Sequence, residues 1–123
     1  MKTIHTKHAP QAVGPYTQAI ESNDFIFCSG QIGLDPITGT LREGIEEQTK
    51  QVMQNIQQVL KAANCTFDSV IKTTIFLTDI NDFTKVNDVY GSFFSEHKPA
   101  RSTVAVTALP KGALVEIEVI AVK

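Results

Sequence analysis

The residues best suited to chemistry lie in the last quarter of the chain. There Arg101, Glu116 and Glu118 interrupt two runs rich in β-branched residues, Pro99 to Thr107 and Leu114 to Val122. The Leu109-Pro110-Lys111-Gly112 break between them supplies a fixed φ and a permissive glycine, so the two runs are expected to form a hairpin. Successive strand residues point to opposite faces of a sheet. Parity then sets Arg101, Thr103 and Thr107 apart from Ser102, Val104 and Val106, and sets Glu116 and Glu118 apart from Val115, Ile117, Val119 and Ala121. The charges are expected to share one face. With the reversal centred near Pro110 and Lys111, Arg101 and Glu116 are offset by roughly 13 Å of strand. That is too far for a tight ion pair, but it suits a pocket in which the two grip opposite ends of a small acid and its attacking water. The same three residues would also serve as solvated charges on a half-exposed hairpin.

Four short motifs add to this pattern. Gly14-Pro15-Tyr16-Thr17-Gln18-Ala19, Ser29-Gly30-Gln31-Ile32-Gly33, Asn81-Asp82-Phe83 with Val86-Asn87, and Pro99-Ala100-Arg101-Ser102 with Glu116-Ile117-Glu118 stand in that order along the whole chain. Together they resemble the signatures of the Rid family, also called YjgF/YER057c/UK114, and most of all its RidA branch of 2-iminobutanoate/2-iminopropanoate deaminases. The resemblance implies a homotrimer with a barrel-like centre, chorismate-mutase-like, with clefts between subunits. It also implies a cofactor-free hydrolase that converts 2-aminoacrylate, 2-iminopropionate and related 2-imino acids to 2-keto acids and ammonia.

The family's roles carry over position by position. Arg101 becomes a carboxylate clamp, a task suited to a planar guanidinium that donates two parallel hydrogen bonds. Glu116 becomes the group that delivers water to the imine carbon, which a carboxylate does best when partial burial raises its pKa. Glu118 is then structural. Tyr16, Ser29, Gly30 and Asn87 match positions that line the pocket, and the backbone at Thr103 would meet the substrate nitrogen. Thr103 departs from the many RidA relatives that carry Cys there, which excludes a thiolate nucleophile at this position. The short His97-Lys98 link before Pro99 is a second departure and bears on the pocket rim. Two other functions compete: a regulatory protein that binds small carboxylates without turnover, and a ribonuclease or translation inhibitor.

Composition narrows these choices. The 123 residues carry 42% hydrophobic and 20% charged side chains, as expected of one globular domain spanning 1–123. The net charge is −2 and the basic residues are scattered, so nucleic-acid binding is not expected. The start of the chain lacks the apolar stretch of a secretory signal and no segment is apolar enough to span a bilayer, which makes the cytoplasm the expected location. Cys28 and Cys65 are expected to be reduced and inert, and His5, His8 and His97 show no metal-ligand spacing, so no metal is predicted.

The elements that must position these residues follow from periodicity. After a loose start, Tyr16–Glu21 and Phe25–Gln31 read as strands joined by Ser22-Asn23-Asp24. Ile45, Thr49, Val52, Ile56, Val59 or Leu60, and Ala63 recur at helical spacing, and Asn64 suits a left-handed terminator. Val70–Thr78 reads as a strand, with Ile71, Thr73, Ile75 and Leu77 on one side. A second helix carries Phe83, Val86, Tyr90 and Phe93, with Asn81 or Asp82 as cap. The sum is a two-layer α+β domain: a mixed sheet with two helices on one face. The other face keeps enough apolar area (Phe76, Ile120 and either Phe25 and Phe27 or Ile26 and Cys28) to favour self-association.

Overall fold

The computed structural model describes residues 1–123. Six strands form one mixed sheet: β1 (Lys2–Ile4), β2 (Ala19–Ser22), β3 (Phe25–Ile32), β4 (Val70–Leu77), β5 (Ala100–Ala105) and β6 (Val115–Val122). Their spatial order is β1-β2-β3-β6-β4-β5. Two helices, α1 (Ile45–Ala62) and α2 (Phe83–Gly91), cover one face, giving the α+β architecture expected. Neither is long and apolar enough to cross a membrane.

Helix α1 forms where the apolar spacing places it. Val52, Ile56, Val59 and Leu60 are fully buried against the sheet, and Glu46 and Glu47 sit at the positive end of the helix dipole. The helix ends in a Schellman motif. Asn64 takes φ 60°, its N–H donates to the Lys61 carbonyl, and the Cys65 N–H reaches back to that of Leu60. The β2–β3 hairpin turns on Asn23 and Asp24, both at positive φ, as a two-residue hairpin loop requires.

Three expectations are corrected. The chain start is not loose, because Lys2–Ile4 pairs with β2. Neither Asn81 nor Asp82 caps α2 with its side chain; Asp79 instead accepts from the Asn81 N–H at the 3-10 turn that precedes the helix. The third correction bears on function. β5 and β6 do not form a hairpin: β5 runs parallel to β4, joined to it through α2, while β6 inserts antiparallel between β3 and β4. The link from Val106 to Leu114 passes over the end of β4, where the Val106 N–H donates to the Leu77 carbonyl and the Thr78 N–H to that of Leu114.

Register fixes the two faces. Ile26, Cys28, Thr73, Ile75, Leu77, Val115, Ile117, Val119 and Ala121 point to the helices and are buried. A register shift in β4 between Val70 and Lys72 buries Val70 and leaves Ile71 exposed, against the simple alternation expected. The uncovered face presents Phe25, Phe27 and Val104, each 40–47% exposed, beside Phe76 and Ile120.

The segment between β3 and α1 is tied to the helix by a polar relay. Arg42 pairs with Asp35 at 2.9 Å and donates to Gln51, Gln51 donates to Asn55, and Asn55 holds the carbonyls of Ile32 and Leu34. Gly33 lies flat on α1, where an added Cβ would sit 2.8 Å from the Cα and the carbonyl oxygen of Gln48. Gly33→Ala therefore forces the helix and this segment apart. It is expected to cost about 2 kcal/mol, read as a lower urea midpoint; an unchanged midpoint would show that the contact relaxes freely.

Candidate active site

One cluster of the expected residues gathers at the β2–β3–β6 side of the sheet. Tyr16, Ser29, Gly30 and Glu116 line a cavity of about 880 Å³, with Lys111 at its edge and residues 34–39 as a wall. The pairing of β3 with β6 slips by one residue between Cys28 and Gln31, a bulge that lifts Ser29 and Gly30 out of the regular ladder. Two bonds zip this bulge to the Tyr16 segment: the Ser29 N–H donates to the Gln18 carbonyl at 2.9 Å and the Ser29 hydroxyl to that of Thr17 at 2.6 Å. Ser29 lines the cavity, with its hydroxyl committed to the protein backbone.

Gly30 has a specific reason to lack a side chain. A Cβ there would overlap Glu116 Oε2 and lie 2.9 Å from its Cδ, so the carboxylate occupies the space that the glycine leaves. Glu116 is half-buried, and desolvation holds its pKa above the usual carboxylate range, with the neighbouring negative charge of Glu118 adding to the rise. Glu118 itself is exposed.

A second cluster gathers around β5 and α2. The Arg101 guanidinium donates to Asn87 Oδ1 at 2.7 Å and lies over the rings of Phe83 and Tyr90, 5.4 and 5.1 Å from their centroids. Tyr90 is anchored in turn by a 2.8 Å hydrogen bond between its hydroxyl and that of Thr73. Asn87 therefore braces Arg101. Phe83 and Tyr90 read in the sequence only as an apolar helical stripe; their second task needs β5 beside α2, which no local pattern announces.

At the free edge of β5 the backbone has a definite orientation. The Val106 N–H points inward to Leu77, so by alternation Val104 and Ser102 face β4, while Arg101 and Thr103 turn their N–H and C=O groups outward. The Thr103 side-chain hydroxyl is buried without a hydrogen-bond partner. Cys28 is a buried thiol pushed up to about 12 by desolvation, with Cys65 adding to the shift, and no group of three or more His, Cys, Asp or Glu side chains is placed to hold a metal ion.

The two clusters do not meet within one chain. Arg101 pairs with Thr73 and shares its helix-covered face; Glu116 pairs with Phe76 and points from the opposite face. Two strand spacings and a three-residue offset put their Cα atoms about 14 Å apart. The separation matches the sequence expectation, but the shared face does not hold. The reason is the misread hairpin: the crossing from β5 to β6 over the end of β4 does not preserve the parity of a tight turn.

Burial of Glu116 has a signed consequence for stability. The folded state binds its proton more tightly than the unfolded state, so the stabilising contribution is complete below the unfolded pKa and is lost as pH rises through the folded one. At pH 7 the ionised carboxylate is then a liability. Glu116→Gln is expected to raise Tm at pH 7 and to change it little near pH 4; an equal change at both would assign the effect to packing.

Relatives agree with the motifs. The sequence model of the family described as endoribonuclease L-PSP matches residues 6–123. A 2-iminobutanoate/2-iminopropanoate deaminase of Bos taurus is 51% identical over 123 residues, covering 99% of this chain and 90% of that protein. A RutC family protein of Pyrococcus horikoshii is 50% identical, covering 99% and 98%. The crystal structure of E. coli TdcF with bound serine superposes with a TM-score of 0.96 at 41% identity, covering 100% of this chain and 99% of that one. The chain belongs to this family, the YjgF or Rid family.

Proposed function

We propose that the protein hydrolyses small 2-imino acids, 2-aminoacrylate with its tautomer 2-iminopropionate and 2-iminobutyrate, to 2-keto acids and ammonia. The observation that carries this reading is Glu116, a half-buried carboxylate with a raised pKa that faces a cavity left open by Gly30. The deaminase name of the bovine relative supports it.

The site is shared between two copies of the chain in a homotrimer. Arg101 and Glu116 stand on opposite faces of one sheet, so a molecule of three or four carbons meets both only where the Arg101 cluster of one copy approaches the Glu116 cavity of another. The uncovered apolar face around Phe25, Phe27 and Val104 supplies the surface for that association.

The chemistry then divides among named groups. Arg101, braced by Asn87 and stacked by Phe83 and Tyr90, holds the substrate carboxylate. The outward N–H and C=O of Thr103 meet the nitrogen. Glu116 takes a proton from water as the oxygen bonds to the imine carbon. The proton passes to nitrogen, giving a carbinolamine; Glu116 then takes the proton of its hydroxyl and returns it to nitrogen as the C–N bond breaks, which releases ammonia and leaves the keto group. Such imines already react with water, so orientation and water activation suffice, without a cofactor.

The family description as an endoribonuclease favours a second reading. The net charge of −2 weighs against it, and salt-sensitive RNA cleavage would revive it.

The test generates the imine in situ with a serine or threonine dehydratase and compares keto-acid release with and without this protein. Acceleration is expected, and Glu116→Gln should lower kcat about 100-fold or more while a carboxylate ligand still binds. Glu118→Gln removes the like charge that helps raise the Glu116 pKa, so it should move the acid limb of the rate profile to lower pH with little loss at the plateau. The reverse order of effects would rebuild the mechanism around Glu118.

A further inference from the structure

The motif that carries Tyr16 also contains Gln18, a residue with no part in the chemistry above. Its side chain is 1% exposed, although a carboxamide is costly to bury unless every polar atom is paired. Gln18 meets that condition with a segment whose other ties are the buried side chain of Ala9 and the Gln11 amide bonds to the Thr6 and Ala9 carbonyls. Its Oε1 accepts from the Thr6 N–H at 2.7 Å, and its Nε2 donates to the carbonyls of Thr6 at 3.0 Å and Pro10 at 2.8 Å, with that of Ala9 at 3.4 Å. Residues 5–18 belong to no strand or helix, and the backbone–backbone bonds within 5–17 reduce to the Tyr16 N–H to Gly14. One buried amide therefore clips the arm onto the domain.

The clip is continuous with the cavity. The backbone carbonyl of Gln18 accepts from the Ser29 N–H, and the Thr17 carbonyl from the Ser29 hydroxyl, so the arm, Tyr16 and the bulge beside Gly30 and Glu116 form one connected unit. Tyr16, 55% exposed, is held over the cavity by its own turn, by the bonds of Thr17 to Ser29 and Ile4, and by this clip on the arm that precedes it. We propose that Gln18 is a positioning residue: its amide holds the Thr6–Pro10 arm and so sets Tyr16 and the Ser29–Gly30 bulge around Glu116. This rests on the proposed imine hydrolysis for its kinetic arm alone.

Gln18→Met keeps the volume and removes every one of these hydrogen bonds; Thr6→Pro deletes the donor from the arm side without touching the core. Hydrogen exchange decides the structural arm without any substrate. Both variants should lose protection at the Tyr16 and Ser29 amides while the amides of α1 and β6 remain protected, and unchanged exchange at Tyr16 and Ser29 would overturn the proposal. The kinetic arm is a double-mutant cycle. Either variant alone should lower kcat/KM about 10-fold or more, and in a Tyr16→Ala background the same change should cost far less, because the positioned group is already gone. Full additivity, or wild-type kcat/KM in both single variants, would reduce Gln18 to a structural residue and refute the assignment. A wild-type protein inert towards imines would overturn the proposed activity instead, and the exchange arm would still decide the clip.

Discussion

The alternation of side chains across a pleated sheet is the constraint on which the rest depends. In register across β4, Arg101 stands beside Thr73 and Glu116 beside Phe76, three positions on, so the sheet itself separates the cation from the carboxylate. No rotamer of a single chain brings both to a three-carbon acid. In the proposed homotrimer, an incomplete site in each chain and an apolar face left uncovered are two sides of one arrangement: association would hide Phe25, Phe27 and Val104 and complete the chemistry.

Each half is stiffened in its own way. Arg101 is exposed, yet its guanidinium is held by an amide oxygen and two aromatic faces on one side of α2, which would limit the rotamer entropy lost in the proposed clamp on a carboxylate. Glu116 is held by subtraction: the bulge and Gly30 leave a space that only the carboxylate fills, and burial there costs stability at neutral pH while raising basicity. The cavity walls are secured from both sides, by the Arg42–Gln51–Asn55 relay from α1 and by Gln18 from the arm. The burial of Gln18, Gln51 and Asn55, at 1–6% exposure, is explained by the loops they hold.

Much of this is legible in the sequence because it is local. Helix α1 shows in the spacing of Val52, Ile56 and Val59, its end in Asn64, and the first hairpin in Asn23-Asp24. What fails is what depends on pairing at a distance. Two β-branched runs around Pro110-Lys111-Gly112 look like a hairpin, and nothing in nine linking residues tells that β4 lies between them. The face shared by Arg101 and Glu116 is lost with that misreading, while the residues themselves, recognised through motif resemblance, still fall into two compact clusters. Lys2–Ile4 is missed because three residues carry too little periodicity. Phe83, Tyr90 and Gln18 are missed as supporting groups because an apolar stripe and a lone amide acquire those tasks only from their neighbours in space.

The central claim is that a working site draws Arg101 and Glu116 from different copies of the chain. Complementation tests it most directly: Arg101→Ala and Glu116→Gln chains, each inactive alone, are coexpressed and keto-acid release is measured per subunit. Random mixing in a closed ring leaves about one site in four with both residues intact, so about a quarter of wild-type activity should return. If both groups acted from one chain, no mixed assembly would hold a complete site, and activity that stayed at the level of the separate variants would contradict the claim.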